Sequence, residues 1–302
     1  MPQVPKWDVP MFELVRRTSV DLPADVERAI RLACRRAPAG STPRWALETV
    51  LANAAMARKN GQPICQDTGL PAFFIKAPAG FDLRPLVAAA RRAVARATRL
   101  GILRENTIDG VTGRPCSGNV TGSAPVFYME THAKNQLEVR LLLKGGGSEN
   151  VGRQYSLPDV SLAAGRDMAG VRRCVLDAVW QAQGNGCAPG VLSVCVGGDR
   201  SGGYAHAKSL FLQPLGTAPQ SKELAALRRR LLKEANELQI GPMGLGGAAT
   251  LLDLRMGALD RVPASFFVTV SYMCWAYRRH GMAFGVDGSF GKWLYGGQWR
   301  RP

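Results

Sequence analysis

The sequence has 302 residues, of which 46% are apolar, and these values are typical of a globular protein with one large or two ordinary domains. It has no apolar run of about 18 residues or more and no apolar core segment near its N-terminus, so neither a membrane span nor a signal peptide is predicted, and a cytoplasmic location is expected. The 39 basic and 23 acidic residues give a formal net charge of +16, but the arginines are scattered and no basic block is interleaved with aromatic residues. A basic surface that attracts small anions is therefore favoured over specific binding of nucleic acid.

Hydrophobic periodicity predicts helices and strands that alternate along the whole chain. In chain order the predicted segments are helices 23–37 and 43–59, a strand around 73–75, a helix around 83–97, an irregular segment 101–122, strands 126–130 and 137–143, a helix 161–182, a strand 190–196, helices 203–213 and 222–238, and strands 249–255 and 265–272. This mixture predicts an α/β (α+β) fold in which a single large domain, residues 1–302, contains a mixed sheet flanked by helices.

Three of the seven cysteines lie inside regular apolar patterns. Cys34 and Cys174 fall within helix-like segments, and Cys195 falls within a strand-like run. Without an export signal a disulfide framework is not expected, so these three residues are predicted to be buried, reduced thiols.

Three other cysteines share a different local setting. Cys65 lies in "PICQDTG", Cys187 in "GNGCAPGV" and Cys274 in "SYMCWAYRRH", and each stands where the chain enters or leaves a predicted strand. Loops of this kind gather at one edge of a sheet. The three are 122 and 87 residues apart, so no local ligand motif joins them, and spacing alone leaves both a shared metal site and unrelated thiols open.

Polar residues accompany these cysteines. Asp67, next to Thr68 and Gly69, is typical of an Asx-turn. In "KGGGSEN", three glycines directly follow a predicted strand and allow an anion to approach the backbone closely, although such a run is also typical of a simple turn.

Five motifs, "PICQDTG", "KGGGSEN", "GCAPGVLSVCVGGDR", "IGPMGLGG" and "CWAYRRH", occur in this order. Together they resemble the iron–sulfur-dependent hydro-lyases, that is, the alpha region of class I fumarate hydratases and L-tartrate dehydratases, over about residues 11–287. The resemblance implies a [4Fe–4S] cluster bound by Cys65, Cys187 and Cys274. Three thiolates would leave one iron without a protein ligand, and an open position is what Lewis-acid catalysis requires.

The resemblance also implies roles for nearby residues. Gln66 and Asp67 would contact the substrate, with Asp67 a candidate general acid/base. Arg104, in "LRENTID", would hold a substrate carboxylate through its planar fork, and Gly147 and Asn150 would border the substrate.

The sequence departs from the family in two ways. A histidine commonly found about twelve residues before the third cysteine is replaced by Val262, and neither His132, His206 nor His280 is in that register; His280 is expected to lie on the surface. The C-terminal region of the fused enzymes does not follow Pro302, so the chain resembles an alpha subunit that needs a separate beta subunit, and homo-oligomers of alpha–beta units are expected.

These features favour reversible hydration of fumarate to malate, because "KGGGSEN" is closer to the fumarase form of that loop. L-tartrate or a related dicarboxylate is the alternative substrate. A second alternative, which Val262 supports, is a cluster-binding regulatory protein without catalysis. A nucleic-acid binder, the third, would show salt-sensitive binding without any cluster. Neither nucleic acid nor membrane is expected as a partner.

Overall fold

A computed structural model describes residues 6–296, which fold into two compact units. The first unit takes in the described residues up to Ala24, Ala52–Gly146 and those from Ala276 onward, and the second takes in Asp25–Leu51 and Gly147–Trp275. The predicted mixed α/β class is confirmed, with the strands divided between two mixed sheets. That residues 1–302 act as one domain stays a prediction.

Helices and strands alternate along the chain as predicted. The helices are α1 (Asp8–Val20), α2 (Ala24–Arg36), α3 (Thr42–Asn60), α4 (Arg84–Arg99), α5 (Gly146–Asn150), α6 (Met168–Ala182), α7 (Arg200–Leu210) and α8 (Lys222–Glu237). The strands are β1 (Leu70–Pro78), β2 (Val126–His132), β3 (Gln136–Lys144), β4 (Arg153–Ser156), β5 (Gly190–Gly197), β6 (Leu251–Leu259), β7 (Phe267–Met273), β8 (Arg278–Gly285) and β9 (Phe290–Trp293). Short 3-10 turns occupy Ser117–Asn119, Gln183–Gly186 and Pro242–Gly244.

The first unit is built on a sheet with strand order β2-β1-β3-β8-β9. The β1–β2 pair is parallel, and the other pairs are antiparallel. Apolar residues on one face, among them Phe73, Val139 and Met282, are fully buried together with residues of α1 and α4. Strand β1 is paired on both edges, with β2 and with β3, and the turn before it carries Cys65.

Three elements of this unit, α1, β8 and β9, were not predicted. Helix α1 has Pro10 in its first turn, where a missing N–H is tolerated because the first backbone N–H groups of a helix have no partner within it. Strand β8 begins with Arg278, Arg279 and His280, whose charges interrupt the apolar pattern, yet all three are at most 1% exposed. The expectation that His280 lies on the surface is therefore wrong, because β8 pairs with both β3 and β9 and its side chains are covered.

The second unit contains a sheet with strand order β4-β7-β5-β6, in which β5 and β6 are parallel and the other pairs antiparallel. Every residue of β5 is buried, as its continuous apolar run predicts. Helices α6 and α8 supply apolar residues to one face of the sheet. On β5, Ser193 donates from Oγ to the main-chain oxygen of Ala207 in α7 over 2.5 Å.

Helix α6 begins at Met168 rather than near residue 161 as predicted. The Asp167 side chain accepts a hydrogen bond from the main-chain N–H of Gly170 over 2.7 Å and so caps the helix. Residues before it form a turn around the Asp159–Ala164 bridge, which removes them from the helix.

The three cysteines predicted to be structural are buried: Cys34, Cys174 and Cys195. Among the helices of residues 6–296, we find none whose length and apolar character would let it cross a membrane.

Candidate functional site

The turn before β1 holds Cys65, Gln66 and Asp67. Cys65 and Asp67 are half-buried and Gln66 is exposed, with the Cys65 Sγ 3.6 Å from the Gln66 Oε1. The Asp67 Oδ1 accepts a hydrogen bond of 3.1 Å from the main-chain N–H of Gly69. This is the Asx-turn that the sequence allowed, so Asp67 has a structural role whatever its chemical role is.

The first glycine of "KGGGSEN" makes room for the Asp67 carboxylate. A Cβ atom on Gly145 would lie 2.6 Å from the Asp67 Oδ2, closer than two such atoms can approach. The sequence predicted that this glycine run lets an anion approach the backbone, and at Gly145 the anionic group is the side chain of Asp67.

Arg104 is held beside the same turn by its main chain. Its N–H donates to the Thr68 Oγ over 3.2 Å, and its carbonyl accepts from the Asn119 side chain over 2.7 Å. The Arg104 guanidinium is exposed and makes no hydrogen bond or ion pair with a residue that the structure describes. An exposed guanidinium with no partner among the described residues is available to a carboxylate.

The sequence patterns did not point to three residues near Asp67, namely Asn106, Asn119 and Arg278. The Asn106 Nδ2 lies 3.5 Å from the Asp67 Oδ1, and buried Asn119 organises the loop by accepting the main-chain N–H groups of Asn106 and Thr107. The positive φ of Asn119, after Gly118, is a conformation that asparagine tolerates, and the "SGN" run was the available signal. Arg278, which donates from Nη2 to the Asp67 main-chain oxygen over 2.8 Å, offered no signal beyond the motif that contains it.

Cys187 and Cys274 lie at the same end of the second sheet. Strands β5 and β7 are antiparallel with Val191 opposite Met273, so the loop entering β5 and the loop leaving β7 meet there. The main-chain N–H of Trp275 donates to the Cys187 carbonyl over 3.2 Å. The prediction that the cysteine-bearing loops gather at one edge of a sheet is thus confirmed for Cys187 and Cys274. It is wrong for Cys65, because β1 belongs to the other sheet.

The "KGGGSEN" loop is fixed beside Cys274. The main-chain N–H of Cys274 donates to the buried Oγ of Ser148 over 3.2 Å. Gly147 and Asn150, the two predicted substrate neighbours, flank this serine and are exposed. They line a polar cavity together with Arg153 and Asn185.

The Tyr272 ring packs between the two glycines that flank Cys187. A Cβ atom on Gly186 would lie 2.6 Å from this ring, and one on Gly190 would overlap it. Burial raises the pKa of Tyr272, and negative charge on Cys274 and Cys187 raises that pKa further.

The thiols present fit the donor set of an iron–sulfur cluster. No group of three or more His, Cys, Asp or Glu in residues 6–296 converges on a single metal ion, but the thiolates of a cluster bind different irons. Cys65, Cys187 and Cys274 are half-buried and are not in disulfides. The buried thiols of Cys174 and Cys195 are poor ligands, because burial raises the pKa of Cys174 to about 12 and that of Cys195 to about 11.

Comparison with known sequences agrees with this chemistry. Residues 10–283 match the family described as fumarate hydratase (Fumerase). The chain belongs to this family.

Named relatives include both enzyme types. A Geobacillus stearothermophilus protein named "Putative fumarate hydratase class I" is 45% identical over 289 residues, which cover 94% of this chain and 56% of that protein. A Methanocaldococcus jannaschii protein named "Putative L(+)-tartrate dehydratase subunit alpha" is 30% identical over 274 residues, 89% of this chain and 94% of that one. The L(+)-tartrate dehydratase subunit alpha of Escherichia coli K12 is 28% identical over 245 residues, 80% and 79% of the two chains. The chain thus spans little more than half the length of the Geobacillus relative.

The resemblance implies a histidine at the position of Val262, and none of the three histidines of the chain stands there. Val262 is 64% exposed in the turn between β6 and β7. His206 is partly buried on α7, where burial lowers its pKa and where a Cβ on Gly257 would collide with its ring. His132 contacts the main-chain oxygen of Gln136 over 2.8 Å, where the chain passes from β2 to β3.

Proposed function

We propose that the chain is the cluster-bearing alpha part of a hydro-lyase that reversibly hydrates fumarate to malate. The [4Fe–4S] cluster would be held by Cys65, Cys187 and Cys274. The observation that carries the proposal is the meeting of Cys187 and Cys274 at one end of the second sheet, with the "KGGGSEN" loop hydrogen-bonded to Cys274 through Ser148.

When bound, the cluster would supply an iron without a protein ligand, which polarises the substrate as a Lewis acid. The chain itself provides the groups that hold the dicarboxylate and move its proton. Arg104 binds a carboxylate through its guanidinium, and Gln66 donates from its amide. During dehydration a carboxylate oxygen of Asp67 would take the proton from one substrate carbon while the hydroxyl group on the neighbouring carbon leaves as hydroxide, and during hydration Asp67 would return the proton as hydroxide adds. The hydrogen bonds from Gly69 and Asn106 fix the position of the Asp67 carboxylate.

A beta subunit or region would complete the site, because the chain spans 56% of the Geobacillus relative and two further relatives are named subunit alpha. We expect alpha–beta units that form homo-oligomers in the cytoplasm. The charge of +16 would then attract dicarboxylate anions.

L-tartrate is the second candidate substrate, since the relatives at 30% and 28% identity carry that name. Fumarate is favoured because the relative named for it is 45% identical. A regulatory protein without catalysis is the remaining alternative, and its support is the exposed valine at position 262.

Anaerobic reconstitution of the chain with its beta partner, followed by assays with fumarate, L-malate and L-tartrate, tests the proposal. We expect turnover that is fastest with fumarate and malate, and inactivation by air because an iron without a protein ligand is easily lost.

Replacing Cys65, Cys187 or Cys274 by serine should remove the brown chromophore and the activity. Cys116→Ser is the matched control, because Cys116 is also a half-buried loop thiol. Absence of turnover with every dicarboxylate, from protein that carries the chromophore, would exclude the enzyme and favour the regulatory alternative.

A further inference from the structure

Cys187 has a backbone conformation that most residues avoid. Its φ is 51° and its ψ is 61°, in the left-handed region that glycine adopts far more readily than residues with a side chain. A cysteine stays in this region only where the surrounding structure imposes the conformation. Because the backbone dihedral angles set the direction of the Cα–Cβ bond, whatever holds this conformation also sets the direction of the Cys187 thiol.

Main-chain hydrogen bonds hold the Cys187 loop at several points. The Cys187 N–H donates to the Gly184 carbonyl over 3.0 Å, and the Cys187 carbonyl accepts from the N–H of Trp275 over 3.2 Å. The next carbonyl, that of Ala188, accepts from the N–H of Met243 over 2.8 Å. These bonds tie the loop to neighbouring loops of the second unit, but they do not fill the space beneath it.

The ring of Tyr272 fills that space. Tyr272 lies on β7 and is 2% exposed, and its ring packs against Gly186 and Gly190, which stand on either side of Cys187 in the sequence. A Cβ atom on Gly186 would lie 2.6 Å from the ring, and a Cβ atom on Gly190 would overlap it. The ring thus supports the backbone both before and after Cys187, with no room for a side chain at either glycine.

Tyr272 is itself fixed by the sheet and the core. On β7 it stands opposite Leu192 of β5, and its ring belongs to the apolar core to which α6 and α8 contribute. Side chains in such a core interdigitate closely and resist displacement. Through this ring, the core of the second unit reaches the loop that carries Cys187.

We propose that Tyr272 is a positioning residue for the iron–sulfur cluster: its ring, wedged between Gly186 and Gly190, holds the Cys187 loop in the conformation that presents the thiol. A ligand loop held in this way does not have to be ordered when the cluster binds. The inference rests on the proposed function, because it takes Cys187 as a cluster ligand. It extends that proposal to a residue that was not predicted to belong to the site.

The test compares Tyr272→Leu with Tyr272→Phe in the anaerobically reconstituted alpha–beta protein. The quantity measured is the rate at which iron passes from the protein to a ferrous chelator. Without the ring the Cys187 loop opens more often, so Tyr272→Leu should lose iron about 5- to 30-fold faster than the wild type. Tyr272→Phe keeps the ring and should retain iron as the wild type does.

Phe266→Leu is the matched control for a general loss of core packing. Phe266 is 5% exposed, belongs to the same apolar core and lies just before β7, at the end of the strand away from Cys274. Its replacement should lower the free energy of unfolding to a similar extent as Tyr272→Leu but leave the rate of iron loss unchanged. Equal rates of iron loss in the two leucine variants would overturn the inference, because they would show that only overall stability matters.

Gly186→Ala tests the same contact from the side of the loop. The added methyl group would collide with the ring, so this variant should also lose iron faster than the wild type. Combining it with Tyr272→Leu removes the atoms it meets, so the double variant should lose iron more slowly than the product of the two single effects predicts. Gly186→Ala also serves should Tyr272→Leu fold poorly, and wild-type iron retention in Gly186→Ala would argue decisively against the wedge.

Iron loss and turnover together separate this inference from the proposed function. If the wild-type protein holds the cluster but turns over no dicarboxylate, while iron loss differs among the variants as expected, the hydro-lyase proposal fails and the role of Tyr272 stands. If the wild type hydrates fumarate and Tyr272→Leu retains iron equally well, the inference alone fails. A wild-type protein that takes up no cluster would overturn both.

Discussion

Arg278 donates a hydrogen bond from Nη2 to the main-chain oxygen of Asp67 over 2.8 Å, while its side chain is 1% exposed. The Nε and Nη1 atoms of the same guanidinium have no hydrogen-bond partner among the residues that the structure describes. A buried cation with incomplete partners is unfavourable for folding. The contact with Asp67 thus stabilises the position of the Asp67 turn at an energetic cost to the fold.

Replacing Arg278 by methionine should separate these two effects. The variant loses a charged hydrogen bond of about 1.5–3 kcal/mol to the turn but also removes a buried charge, so the free energy of unfolding should change little. The activity of the alpha–beta protein should fall at least about tenfold, because the turn that carries Asp67 is released. Urea unfolding and kcat measured on the same preparation check this.

Arg99→Met is the control for Arg278→Met, because Arg99 is an exposed arginine of the same unit. It should change neither activity nor stability. A large loss of stability in Arg278→Met, with activity per folded molecule unchanged, would contradict a role in positioning Asp67.

Gly145→Ala tests whether the Asp67 carboxylate needs the space that this glycine leaves. The new methyl group would lie 2.6 Å from Oδ2, so the carboxylate must move. We expect a loss of about 1–3 kcal/mol in the free energy of unfolding and a fall in kcat of more than about tenfold. Gly110→Ala is the matched control, since a Cβ there meets no atom within 4 Å. Wild-type kcat in Gly145→Ala would mean that the position of Asp67 does not limit the reaction.

Sequence patterns predicted most of the helices and strands. They also predicted that the loops of Cys187 and Cys274 meet at one edge of a sheet, but wrongly placed Cys65 at the same edge. Strand β5 was predicted because its apolar run is continuous, and helix α4 was predicted because its apolar residues recur at helical spacing without interruption. Strand β8 was missed because its buried cations hide the pattern, and Arg278 was missed with it. The cavity with Arg153 could not be predicted either, because it depends on strand β4 lying beside the end of α6, and no local pattern encodes that contact.

Ser148→Ala tests the link between the "KGGGSEN" loop and Cys274. Removing Oγ leaves the Cys274 N–H without this acceptor, which should cost about 0.5–1.5 kcal/mol of stability. Because the Cys274 loop is less well held, iron and sulfide content per chain after reconstitution should fall below the wild-type value. Ser265→Ala, a partly exposed serine of the same unit, should load fully. Full loading of Ser148→Ala would show that Cys274 is positioned without this bond.

The pH dependence of stability should report on buried Cys195, whose pKa is raised by burial from 9.0 to about 11. In the unfolded chain this thiol ionises as the pH passes about 9, whereas in the folded chain it stays neutral until about 11. Between these two pH values only the unfolded state is stabilised by ionisation of the thiol. The free energy of unfolding therefore falls as the pH rises from 9 to 11, and this thiol does not affect it below pH 9. The two-unit difference corresponds to about 3 kcal/mol.

Cys195→Ala should therefore lose less stability than the wild type between about pH 8 and pH 10.5, by roughly 2 kcal/mol in urea unfolding. The alanine leaves a small cavity, but that loss is equal at both pH values and cancels in the comparison. Cys116→Ala, which replaces a half-buried loop thiol, should keep the wild-type difference. Equal losses in Cys195→Ala and wild type would mean that the Cys195 thiol ionises in the folded chain as readily as in the unfolded one.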